Sequence, residues 1–335
     1  MAQDSHSAFD TPFDQLPNPK RVWVGEPGSR EEGLGKLALL TPEVVAQAAA
    51  SEIKTGKRVG LDWNLKQMEV SSRSRHTCQH HILTTLAGAA NDDIYIFNPQ
   101  QSSQWDGFRH FSQPLDINEA GSDPIVSHST PRVFYGGTSL NEIRDRSNTR
   151  IGTNHWAQEG ISGRGVLIDY ASWAEKNDIT FSAFEQHHIS LDTIHRIATQ
   201  CRIEFRRGDI LFVRTGLTRE YENMTLAEKN ALNARKPLHA GVEATTDVLR
   251  FLWDMKFAAV AGDNLSWESY PSKTPGIFMH EWLLPGWGMP IGELFDLERL
   301  SRMCKELDRY TFFVTSMPLN MPGGVSSPPN AMAIF

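Results

Sequence analysis

The sequence predicts an α/β fold with a largely buried sheet. Capped helical segments alternate with short apolar runs along the whole chain, and those runs are too short and too apolar to be half-exposed strands. A strand covered by helices on both faces reads in this way, because neither face meets water. No Pro- or Ser-rich linker divides the chain and no repeat of fixed period occurs. Residues 31–335 are therefore expected to form one domain, behind an extended lead-in over residues 1–30 that carries Pro12, Pro17, Pro19 and Pro27.

The elements follow in order. In "LLTPEVVAQAAASEIKTGKRVGLDW", Thr41 can cap a helix, Pro42 suits its first position, and Gly56 ends it before a strand over Arg58 to Asp62. Residues 71–81, "SSRSRHTCQHH", read as loop, and "DIYIFNP" as a strand. Residues 112–137 lack periodicity and predict a long surface loop able to lie over a pocket. "GTNHWAQEGISGRGVLIDYA" gives a short helix, a glycine turn and a buried strand over Val166 to Ile168. Ser190 caps the next helix, ahead of a strand over Ile210 to Arg214, with His187 and His188 at the helix start. "EATTDVLRFLWDMKFAAVAGD" repeats the unit, and a helix over Phe295 to Lys305 with a strand over Tyr310 to Thr315 closes the series.

Composition narrows the function. Hydrophobic residues make up 40% of the 335, enough for a sizeable core, and the net charge of −7 comes with no basic stripe. Nucleic acid and anionic membrane are poor partners for such a chain. No apolar run approaches the roughly 20 residues that cross a bilayer. The N-terminus shows no signal pattern, and three dispersed cysteines, Cys78, Cys201 and Cys304, suit a reducing compartment. The expected location is the cytoplasm, where the acceptor pattern at Asn223-Met224-Thr225 has no meaning.

Chemistry-bearing residues fall in a few places. In "QQSSQWDGFRHF", Asp106 and His110 stand four apart among aromatics, with Gln100 and Gln104 just upstream. Carboxylate oxygen and imidazole nitrogen both bind divalent ions, but two ligands do not close a site, and such a pair also serves as an ordinary loop hydrogen bond. In "FMHEWLLPGWGMPIGELFDLERL", His280 precedes an apolar turn. Glu293 follows a glycine ahead of a helix, where it can answer the helix dipole or point into a pocket. His76, Cys78, His80 and His81 have zinc-like spacing, but on a segment read as loop rather than helix. There is no G-x-S-x-G elbow and no phosphate-cradling glycine loop, since "GISGRG" leads into a strand.

These blocks, with "LGKLALLTPEVVAQAAASEIKTGKRVGLDW", "AAVAGDNLSWESYP" and "PGGVSSPPNAMAIF", resemble the cyclase family of metal-dependent hydrolases, which includes kynurenine formamidase and isatin hydrolase. The likeness runs from about residue 10 to the C-terminus and is greatest to the family's fungal branch. It implies a swivelling β/β/α fold, a mixed central sheet with flanking helices, and a homo-oligomer, often a dimer. The family signature H-x-G-T-H-x-D-x-P-x-H, laid with its last His on His110, puts Asp106 on the metal Asp. Its first two histidines fall on Gln100 and Gln104, its Gly and Thr on Ser102 and Ser103, and its Pro on Phe108. The downstream His and Glu of the family match His280 and Glu293.

The glutamines matter because an amide oxygen is a poor substitute for imidazole toward zinc. The resemblance therefore implies a weak or empty first metal position. Asp106, His280 and Glu293 would remain as a two-carboxylate, one-histidine site for Mn²⁺, Zn²⁺ or Mg²⁺. In the hydrolytic reading, His110 or Glu293 moves the proton, Gln100 and Gln104 steady the oxyanion, and aromatics grip a flat substrate: Trp105, Phe108, Trp267, Trp282 and Trp287, each of which could equally be core. Two rivals stand beside it. One is a metal-independent acid–base cyclase or dehydratase of fungal secondary metabolism, and the other a dead binding protein whose Asp106, His110, His280 and Glu293 do not converge.

Overall fold

The computed structural model describes residues 8–70, 75–116 and 131–335. Its frame is a nine-stranded mixed sheet. Across it lie Arg58–Gly60, Ala331–Ile334, Thr311–Ser316, Ile161–Ile168, Ile210–Val213, Ala259–Gly262, Ile291–Glu293, Gln104–Asp106 and Ser326–Ser327. The strands from Ile161–Ile168 to Ile291–Glu293 are parallel neighbours, and the pairings on either side of them are antiparallel. Every residue of Ile210–Val213 and Ala259–Gly262 is buried, as expected where helices cover both faces.

The crossover helices begin where side chains satisfy their first backbone N–H groups. Thr41, Ser190 and Thr245 accept from the amides of Val44, Thr193 and Val248 at 3.3, 3.2 and 3.3 Å. Each cap is worth about 1 kcal/mol.

Several elements differ from the sequence expectation. His187 and His188 lie in a short strand, His187–Ile189, because they pair with Ala240–Val242 before the Ser190 cap. Residues 79–81 are strand rather than loop: Gln79–Thr85 pairs with Ala90–Ile96 in an exposed hairpin outside the main sheet. Within that hairpin His80 bonds Asp93 at 2.6 Å and stacks on Tyr95, so it is spent on local structure rather than on a cluster with His76 and Cys78. Of the segment 112–137, Gln113–Pro114 pairs with Arg132–Val133 and Tyr135–Gly137 forms a helical turn; its middle, 117–130, lies outside the described residues.

Two buried charges tie distant elements together. Arg214, at the end of a parallel strand, contacts Asp169 at 2.6 Å and Glu298 at 2.8 Å, so it joins the starts of two helices. Lys36 is fully buried, with its Nζ 4.2 Å from the centre of the Trp253 ring and 5.4 Å from that of Phe9. Burial, helped by the charges of Arg207 and Lys256, lowers its pKa to about 7.

Replacing Arg214 by Met strands Asp169 without its countercharge. Stability should fall by about 3–5 kcal/mol, read as a lower urea midpoint with the slope kept. Lys36 sheds its proton near pH 7 in the folded chain but holds it to its ordinary value when unfolded. Its contribution to stability should therefore rise as pH is raised from 7 toward 10. Denaturation midpoints of wild type and Lys36→Met should diverge over that window, with the wild type gaining as the solution becomes more basic.

Candidate functional site

The site is built where the sheet changes from parallel to antiparallel pairing. Ile291–Glu293 takes Gln104–Asp106 as its antiparallel neighbour, with Glu293 opposite Gln104, Gly292 opposite Trp105 and Ile291 opposite Asp106. Side chains alternate between the two faces of a sheet. Gln104, Asp106 and Glu293 therefore share one face, and Trp105 takes the other, packed on Phe295 with its indole N–H donating to Ser316 at 2.9 Å. Gly292 leaves room for that indole, because a Cβ there would meet the Trp105 ring at 2.9 Å and Ala261 at 2.7 Å. Glu293 thus belongs to a strand, not to a helix start; the helix begins at Glu298.

His280 enters from the helix Met279–Trp287. Its Nε2 is 3.2 Å from Glu293 Oε1 and 3.9 Å from Asp106 Oδ2. Its Nδ1 lies 2.8 Å from Glu268 Oε1, and Glu268 also accepts the backbone N–H groups of Met279 and His280. Glu268 thus caps the helix and fixes the imidazole at once, leaving Nε2 directed at the carboxylates. His110, about one-fifth exposed, follows the Gln104–Asp106 strand and places its Nε2 3.5 Å from Asp106 Oδ2.

The two glutamines are committed to this network. Gln104 Nε2 donates to Glu293 at 2.8 Å and to Gln100 Oε1 at 3.3 Å. Gln100 Nε2 donates to Asp106 Oδ1 and lies 3.5 Å from His110 Nδ1. In this arrangement both amides bond to the carboxylates.

Electrostatics at the site are strongly perturbed. Burial opposes the charged form of His280, but the hydrogen bonds and charges of Glu268 and Glu293 outweigh it and lift its pKa to about 10. Burial and then the charge of Asp106 push Glu293 up to about 7, against the pull of His280 and Arg75.

A cavity of about 90 Å³ opens over these groups, walled by Gln100, His110, His280 and Glu293 together with Phe111, Tyr270 and Phe278. Trp105 and Phe108 do not reach it: Phe108 is fully buried between Tyr135 and Trp156. Nor do Trp267, Trp282 and Trp287, whose rings pack in or against the core. The aromatic wall comes instead from residues that no sequence pattern singled out. Glu268, Arg75 and His239, which also face the cavity, were likewise missed, because their roles depend on contacts made far from their chain neighbours.

This geometry can now be set beside known proteins. The profile of the family described as "Putative cyclase" matches residues 67–269, more than half of the chain. The chain belongs to this cyclase family. A solved structure described as a novel cyclase is 25% identical, covers 92% of this chain and 97% of its own, and superposes with a TM-score of 0.75. Isatin hydrolase A from Labrenzia aggregata, solved with benzyl benzoate, shares the fold at 13% identity and a TM-score of 0.57, over 87% of this chain and 97% of its own. An isatin hydrolase bound to the product analogue thioisatinate does so at 14% and 0.56, over 86% and 94%. No curated protein matches the chain significantly.

In this cyclase-family chain Asp106, His280 and Glu293 form a group able to hold a metal ion, each offering a ligand atom within 4.8 Å of the others. The unsatisfied atoms agree with a cation at this place. Asp106 Oδ2 and Gln104 Oε1 are buried with no hydrogen-bond partner among the described residues. Two buried carboxylates beside an orphaned amide oxygen are a hard, oxygen-rich donor set completed by one imidazole.

Adding Mn²⁺ or Zn²⁺ to chelator-treated protein should raise its melting temperature, by the equivalent of about 2.7 kcal/mol at a hundredfold excess over Kd. Asp106→Asn should lose most of that rise. An unchanged melting curve on metal addition would remove the ion from the site.

Proposed function

We propose that this chain is a hydrolase that opens an amide, lactam or ester bond in a small aromatic or polyketide-like molecule, with a divalent ion at Asp106, His280 and Glu293. The observation that supports it is the meeting of these three residues with His110 around one cavity, from chain positions almost two hundred residues apart. An ion held there would supply Lewis acidity toward a water and a carbonyl.

The protein's own groups supply the rest. His110 borders the cavity beside Asp106 and can take a proton from the attacking water, then return it to the leaving nitrogen or oxygen. Gln100 and Gln104 hold the Asp106 and Glu293 carboxylates in place, while Glu268 holds His280. Phe111, Tyr270 and Phe278 offer flat apolar surface to an aromatic ring.

A second reading is favoured by one observation. The glutamine amides already hydrogen-bond the carboxylates, so part of their acceptor capacity is met without an ion. An acid–base cyclase or dehydratase needs no more than that. The two readings separate on chelation: the hydrolase loses activity and regains it with Mn²⁺ or Zn²⁺, whereas the acid–base enzyme does not respond.

Isatin, phenyl esters and anilides are suitable first substrates. Asp106→Ala should abolish turnover with the circular-dichroism spectrum kept, and His110→Asn should lower kcat by about 10²–10⁴-fold. Wild-type rates from Asp106→Ala would end the proposal.

A further inference from the structure

The small cavity at His280 does not stand alone. A second cavity of about 320 Å³ adjoins it, and Arg75 and Leu265 belong to the walls of both. A single stretch of chain also serves the two: Leu238 lines the larger cavity, and the next residue, His239, lines the smaller. The larger cavity alone, about 320 Å³, exceeds what a single ring requires.

The larger cavity has a definite chemical character. Its apolar wall includes Met68, Val70, Phe184, Leu232 and Leu238. Its charged residues among those described are all cationic: Arg75, Lys229, Arg235 and Lys236. Two of the four are compensated from outside, Lys229 by Glu69 at 2.8 Å and Arg235 by Glu185 at 2.5 Å. Lys236 has no ion-pair partner among the described residues, and Arg75 stands at the junction, near enough for its charge to act on Glu293. Lys229 is buried beside these apolar residues, while Arg235 and Lys236 are exposed at the cavity's edge, where a cation draws an anion within about a Debye length.

We propose that the substrate is an elongated, partly apolar molecule with an anionic end group such as a carboxylate. Its reacting bond lies in the small cavity, its body passes Arg75 and Leu265, and its anion is received by Lys236 in the larger cavity. Only the reacting end rests on the hydrolase reading above. Recognition of the tail does not depend on which reaction occurs. A neutral molecule of the same length makes no ion pair with Lys236, so the enzyme discriminates by charge at a distance from the chemistry.

The test uses two probes that differ in charge alone, 6-phenylhexanoate and 6-phenylhexanamide, titrated calorimetrically into the full-length protein with metal and after chelation. The acid should bind about three- to fivefold more tightly than the amide in both states. Lys236→Gln should reduce that ratio to near one, and Lys236→Arg should restore most of it. Equal affinities in the wild type, a ratio that survives Lys236→Gln, or a preference seen only with metal bound would each overturn the proposal. Failure of the hydrolase reading registers separately, as absence of turnover of phenyl esters and anilides, and Asp106→Ala should retain the binding preference whatever it does to activity.

Discussion

Two carboxylates, Asp106 and Glu293, are buried on one face of a pair of adjacent strands, and much of the site answers that fact. The register fixes their separation, because each strand is anchored on its opposite face by Trp105 and Gly292 packing into the core. Two such anions cannot both stay ionised in a low-dielectric site without a countercharge. The protein supplies positive charge and hydrogen-bond donors from several directions. His280 approaches both carboxylates, the glutamine amides donate to them, and Arg75 adds its charge from the rim. Even so, Asp106 Oδ2 receives no hydrogen bond among the described residues. An unmet buried oxygen of this kind is costly to keep, and the cost is understandable where the group has a ligand or a proton to handle.

The position of these carboxylates in the sheet explains how one fold combines rigidity with access. Parallel strands buried on both faces need helical cover along their length. At the last parallel strand the partner becomes the short antiparallel Gln104–Asp106, which is followed by a turn rather than a crossover helix. Cover is lost there, and the cavity opens at the place where the backbone is still held by sheet hydrogen bonds on both sides. His280 and Glu268 complete the cradle from a helix and the segment before it. A movement of that helix would displace the imidazole, its capping carboxylate and the cavity wall together.

Much of the frame was legible in the sequence because it depends on local patterns. Thr41, Ser190 and continuous apolar runs such as Ile210–Val213 each specify an element without reference to the rest of the chain. Asp106, His110, His280 and Glu293 were legible as types, and the family likeness aligned them. What a linear reading missed was direction. Trp105 sits between two site residues yet faces the opposite side, as strand alternation demands, whereas a loop reading of this stretch could not reveal it. Glu293 likewise reads as a helix-start acid only if the strand before it goes unrecognised, and that strand is three residues long. Glu268, His239 and Tyr270 had no local signal at all. They face the cavity because His239 and Tyr270 form an isolated antiparallel bridge, which draws the 266–270 segment against the site.

The glutamines at 100 and 104 carry the strongest implication for this site. Imidazoles at those places would offer nitrogen to a metal and leave the carboxylates to share the ion. Amides instead spend their N–H groups on the carboxylates and turn one oxygen, Gln104 Oε1, into an unmatched buried acceptor. The result is a site with fewer strong ligands and more oxygen, which lowers its preference for zinc relative to harder ions. Retention of any ion held there would depend on the same hydrogen bonds that position Asp106 and Glu293. Replacing either glutamine with a hydrocarbon of similar size would remove that restraint as well as a donor, so the two like charges would be left facing each other with His280 as their nearest compensation.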